Sequence, residues 1–219
     1  TGEGSVTVNG GTFHALYLTN ADDRKKVTDY NTKCLIQGTN DDAGGFYVGR
    51  NFALTINGGT FTFEGAGIYV GNNNKPIKIL GGSFKNAQGN ATITKRQVMV
   101  FFRNTTNKEN LIQNATFEAW GSVLSGNGTT NRGVFWLDIS GAITFGEGTK
   151  IIAHNDARAV HASGGEADKN KYITFNGGTF TAEKECAYHD SGAGQFRGTV
   201  TFNGGTFTSG VTGSKEIGR

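Results

Sequence analysis

Proline and methionine occur once each in this 219-residue chain, and cysteine and tryptophan twice each. The single Pro76 sits inside an array of repeats, so no linker divides the chain and 1–219 reads as one elongated domain. Cys34 and Cys186 fall about five rungs apart in that array, and at roughly 4.8 Å per rung this is far beyond disulfide reach. Both are expected as buried free thiols. No apolar run is long enough to span a bilayer, and there is no secretory leader or lipidation motif. A membrane is therefore not an expected partner. The net charge of +3 is small and its cations are scattered, with Lys25–Lys26 and Lys95–Arg96 the densest pairs, which argues against nucleic acid. Helix is excluded as well, because Gly makes up 35 residues and no long stretch carries a 3.6-residue apolar period.

What is present is one phrase in five near-copies: VTVNGGTF at 6–13, LTINGGTF at 54–61, IKILGGSF at 77–84, ITFNGGTF at 173–180 and VTFNGGTF at 200–207. Each reads as a short strand with its first and third residues inward, a glycine corner, and a buried aromatic. LIQNATF at 111–117, ITFGEGTK at 143–150 and CLIQGT at 34–39 are degenerate copies. Aligned on Thr or Ser, the copies fall at 12, 39, 60, 83, 116, 149, 179 and 206, in steps of 21 to 33 residues. That is about one turn of a parallel β-solenoid per step. The fold expected is all-β, a single-stranded parallel β-helix of about seven to eight coils.

The phrase supplies one strand ladder. Its inward residues are Val6 and Val8, Leu54 and Ile56, Ile77 and Ile79, Ile143 and Phe145, Ile173 and Phe175, and Val200 and Phe202, followed by a stack of Phe13, Phe61, Phe84, Phe117, Phe180 and Phe207. Its outward row is Thr7, Thr55, Lys78, Thr144, Thr174 and Thr201. A second ladder is predicted from LYL at 16–18, FYV at 46–48, IYV at 68–70, VFF at 100–102, FWL at 135–137, VHA at 160–162 and YHD at 188–190. Two-residue alternation points the middle member of each triplet to solvent. The outward column is then Tyr17, Tyr47, Tyr69, Phe101, Trp136, His161 and His189.

Small flanking residues such as Gly45, Gly67, Gly71 and Ser163 leave that column uncovered, and Asn20, Arg50, Asn72, Arg103, Asn104 and Asp138 supply hydrogen-bonding groups beside it. Aromatic rings on the apolar faces of sugars, with Asn, Arg and Asp on the hydroxyls, is polysaccharide-binding chemistry. A rung of roughly 4.8 Å is close to the rise of one sugar in an extended β-1,4-linked chain. Stacking of like side chains along a solenoid is the competing explanation. Trp120, after the 111–117 strand, is read either as a wall of the same groove or as a local cap.

Catalysis by two carboxylates needs both on one cleft, about 5 to 9.5 Å apart. Asp22, Asp23, Asp41 and Asp42 read as solvated turn residues, while Asp138, His161, His189 and Asp190 are the nearest thing to a catalytic group. No cofactor is expected. Loop oxygens around Asp41, Asp42 or Asp156 are the candidates for calcium, and no acidic calcium-loop motif supports them.

The repeated phrase resembles the right-handed parallel β-helices of the pectate-lyase-like superfamily over essentially the whole chain. The hydrolases of that group carry NTD, DD, GHG and RIK segments, of which only DD doublets stand here. The chain is more similar to the non-catalytic β-helical carbohydrate-binding modules of bacterial enzymes that degrade plant cell walls. That resemblance implies a module that binds xylan or a related hemicellulose for a linked catalytic domain, through Tyr47, Tyr69, Phe101 and Trp136 with Arg50 and Arg103. The Gly- and Asn-rich composition with little Met or Pro fits a secreted or cell-surface bacterial protein, and a monomer is expected. The starting TGEG and final TGSKEIGR are likewise expected of a module within a longer protein. A structural or adhesin repeat, and a polysaccharide lyase or glycoside hydrolase, are the alternatives.

Overall fold

A computed structural model describes residues 3–15, 44–63, 66–86, 99–120, 134–155, 157–163, 171–190, 198–210 and 217–218. Every element among them is a β-strand, and every pairing is parallel. This is an all-β architecture compatible with a β-helix.

The strands fall into three ladders rather than the expected two. The first runs through β1 (Gly4–Val8), β4 (Phe52–Ile56), β7 (Ile77–Ile79), β10 (Asn110–Ile112), β13 (Ala142–Phe145), β16 (Tyr172–Ala182) and β18 (Thr199–Ser209). The second runs through β2 (Thr12–Ala15), β5 (Thr60–Phe63), β8 (Gly82–Asn86), β11 (Ala115–Trp120), β14 (Lys150–His154) and then the latter halves of β16 and β18. Both long strands pass through the glycine corner unbroken, with a register shift at Asn176, and so join the two ladders into one sheet. The third ladder is a separate seven-stranded sheet of β3 (Gly44–Val48), β6 (Ala66–Gly71), β9 (Val100–Thr105), β12 (Phe135–Ile139), β15 (Val160–Ser163), β17 (Tyr188–Asp190) and β19 (Ile217–Gly218).

The phrase therefore encodes a strand, a corner and a second strand. At the corner the second glycine of each full copy has a positive φ, from 100° at Gly178 to 123° at Gly59. A Cβ on Gly178 would lie 2.8 Å from the carbonyl oxygen of Thr149 on the preceding rung. Conformation and close approach both require glycine there.

The ladders pass directly from Thr12 to Thr60, and from Val6 to Leu54, with no rung between. The degenerate copy at 34–39, expected to supply a rung there, lies with Cys34 outside the described residues. The outward Thr row holds in register, with Leu111 joining it between Lys78 and Thr144. The inward member beside Leu111 is the buried Asn110.

Phenylalanines of the second ladder stack face to face, at 4.8 Å for Phe13–Phe61, 4.5 Å for Phe61–Phe84 and 4.7 Å for Phe84–Phe117. The third sheet packs edge-on against this stack, as Phe135 does on Phe117 at 4.8 Å. Burying such a ring is worth about 2–3 kcal/mol, so each buried Phe of the stack is a substantial apolar source of cohesion. The terminal rungs correct the expectation of a uniformly closed core: Phe13 is 37% and Phe202 40% exposed, because each has a neighbour on one side only.

Candidate functional site

The third sheet carries the aromatic column in an unbroken register: Tyr47 pairs Tyr69, Tyr69 pairs Phe101, Phe101 pairs Trp136, Trp136 pairs His161 and His161 pairs His189. On either side the alternation buries Ile68 and Val70, Val100 and Phe102, and Phe135 and Leu137. Phe101 stands apart from the contiguous core that contains those residues. Tyr17 lies outside the described residues, as do the side chains of Tyr47 and Asn104.

The column is less open than alternation alone implies. Phe101 is only 7% exposed, held edge-to-face by Tyr69 at 5.2 Å and stacked on Trp136 at 4.1 Å with an 11° interplanar angle. His161 is 6% exposed, 5.6 Å from the parallel ring of His189. The expectation that these two rings are uncovered is corrected, because neighbouring rungs bring ring faces together and leave edges outward. Tyr69, Trp136 and His189 remain half-buried.

Beside the rings runs a polar column of Arg103, Asp138 and Ser163, in register with Gly71. Arg103 Nη1 donates to the Tyr69 hydroxyl at 3.3 Å, and the Trp136 indole N–H donates to Ser163 Oγ. Burial raises the Asp138 carboxyl above its ordinary value, against the pull of Lys171 and Arg103. Asn104 is the extra residue of a bulge, since Ile139 pairs Thr105 rather than Asn104. Asn72 is exposed with φ 48° and donates its backbone N–H to the Arg103 carbonyl at 2.8 Å. Arg50 is exposed in the turn after β3.

At the imidazole end the pattern is charged. Arg158 Nη1 lies 3.2 Å from His161 Nδ1, and its Nε donates to Glu185 Oε2 at 3.2 Å. A guanidinium only donates, so Nδ1 of His161 accepts and the ring proton sits on Nε2. His189 Nδ1 is buried with no hydrogen-bond partner among the described residues. Burial holds its imidazole below the ordinary histidine value, Arg158 acts in the same direction, and Glu185 opposes both. Asp190 is half-buried, paired in register with Ala162. Among the described residues no three His, Cys, Asp or Glu side chains group to hold a metal ion. Asp41, Asp42 and Asp156 lie outside those residues.

Trp120 does not wall this column. It ends β11 on the other sheet, stacked on His154 at 4.5 Å, with Lys85 Nζ over its ring at 4.9 Å. His154 Nε2 sits 3.1 Å from Glu118 and Nδ1 3.6 Å from Glu183. Burial would raise the Glu118 carboxyl, but hydrogen bonds and charge from His154 and Lys85 outweigh it and hold the group below its ordinary value. Trp120 is thus the apolar lid of a local ion-pair network.

Sequence reasoning missed Arg158, Glu185 and Lys171, which set the electrostatics of the column. The available signal was that Arg158 and Glu185 stand just before successive triplets of the same ladder.

Compared with known proteins, the chain matches no family model, no curated protein and no solved structure.

Proposed function

We propose that this chain is a non-catalytic carbohydrate-binding module, a right-handed parallel β-helix like those of the pectate-lyase-like superfamily, that binds xylan or a related plant cell wall hemicellulose along its third sheet. Right-handed crossovers are the rule for parallel strands, and in such a β-helix the seven strands of the third sheet would each belong to one coil. The observation that carries the reading is the in-register column of Tyr47, Tyr69, Phe101, Trp136, His161 and His189 beside Arg103, Asp138 and Ser163. A glycan lying parallel to the stack would meet Tyr69 and Trp136 with its apolar faces, and Phe101 would hold both rings in place. Arg103, Asp138, Ser163 and Asn72 would take its hydroxyls. Holding substrate near a linked catalytic domain would raise its effective concentration, in a secreted or cell-surface protein that needs no cofactor.

Affinity gels containing xylan, glucomannan or pectin test this reading. We expect retardation on at least one of them, and its loss in Tyr69→Ala/Trp136→Ala with the thermal unfolding transition retained. Full affinity in a folded double variant would refute the site. Release of reducing ends from the same substrates would instead favour a hydrolase.

One observation favours a second reading. Phe101 and His161 are closed off by their own neighbours, as in a structural or adhesin repeat where the column serves cohesion. Such a scaffold would show no retardation on any gel.

A further inference from the structure

The two ends of the first sheet are made of the same phrase. β1 and β2 carry VTVNGGTF at one end, and β18 carries VTFNGGTF at the other. Among the described residues β1 pairs only β4, β2 pairs only β5, and β18 pairs only β16, so within those residues no further strand lies on the outer edge of either terminal rung. Phe13 and Phe202 are more than a third exposed there. Open apolar edges of this kind are templates for another strand.

We infer that the β18 edge of one molecule accepts the β1–β2 edge of a second copy, continuing the ladder head to tail. The register is dictated by the repeat: Val200 meets Val6, Thr201 meets Thr7, Phe202 meets Val8 and Phe207 meets Phe13 of the second copy. Each pair reproduces one found within the chain. Phe180 stacks on Phe207 at 4.7 Å and Phe13 on Phe61 at 4.8 Å, so a Phe207–Phe13 contact extends the same column at the same spacing.

The corner asparagines give the joint a direction. Asn57 Nδ2 donates to Asn9 Oδ1, and Asn203 Nδ2 donates to Asn176 Oδ1, both at 2.8 Å. In each pair the later rung donates to the earlier one. Asn203 thus presents its Oδ1 at one end and Asn9 its Nδ2 at the other, and an Asn9-to-Asn203 bond between copies continues the series. Because the two surfaces differ, the contact is heterologous, and because each copy adds along the one ladder direction the series stays open-ended. The inference is independent of carbohydrate binding and departs from the monomer expected from the sequence.

Sedimentation equilibrium on the whole chain, from about 1 µM to about 1 mM, tests it. The expected result is a weight-average mass that climbs without a plateau. Phe13→Glu blocks one end and Phe202→Glu the other, so each variant alone stays monomeric, while an equimolar mixture forms a dimer and stops there. Asn9→Asp keeps an acceptor for Asn57 but loses the donor for Asn203, and should weaken association about tenfold without disturbing the fold. A wild-type chain that stays monomeric throughout, a closed dimer of fixed mass, or undiminished association by the folded Asn9→Asp variant would each overturn the inference.

Discussion

Single polar residues inside the stack matter as much as the apolar ones. Asn110 stands in an inward column otherwise filled by Leu54, Ile77, Ile143 and Ile173. Its Oδ1 accepts the N–H of Ile77 at 3.0 Å, and its Nδ2 donates to the carbonyls of Ala142 at 2.8 Å and Asn107 at 3.0 Å. One amide thereby ties three successive rungs where the first ladder's strands, β7 and β10, are shortest. Asn110→Ala leaves those backbone groups unpaired, and denaturant unfolding should show a loss of about 2–4 kcal/mol. His189 makes a prediction of opposite character. Its folded-state value lies below the ordinary 6.5, so the unfolded chain binds the proton first as pH falls. Its contribution is fully present above 6.5 and is lost as pH drops from there to the folded-state value. His189→Gln should therefore show a smaller fall in melting temperature than wild type between about pH 8 and about pH 5.

At the level of elements, the columns were legible because a strand has period two and a parallel ladder copies each rung onto the next. Tyr69, Phe101, Trp136, His161 and His189 align as the triplets imply. What periodicity does not carry is the orientation of one ring relative to another. The 4.1 Å contact that closes Phe101 against Trp136 depends on side-chain torsions, which no one-dimensional pattern encodes. Nor does local pattern fix which rungs are neighbours: the phrase-like CLIQGT falls between them in sequence, yet Thr12 pairs Thr60 directly. The number of ladders was misjudged for a related reason, since the glycine corner within NGGTF divides one continuous phrase between two directions. Phe101 links the second and third of these points. If its ring is the keystone between Tyr69 and Trp136, Phe101→Ala should cost about 3 kcal/mol of stability, measured by chemical denaturation. A wholly solvated ring would cost little.

Across the whole molecule, the ladders hold their pairing despite connections of very different length. The chain takes residues 16–43 to pass from β2 to β3 but only residues 64–65 from β5 to β6, and the paired strands remain in register on both sides. Each rung contacts mainly the rungs above and below, so cohesion is a sum of near-identical neighbour interfaces. Parallel hydrogen bonds point along the direction in which rungs succeed one another, with β1 and β18 at opposite ends of the series. Tension applied between those two ends would pull in line with these bonds and part them one interface at a time. The molecule would then yield to stretching as a peeling ribbon, at modest force and in many small steps, rather than rupturing at once.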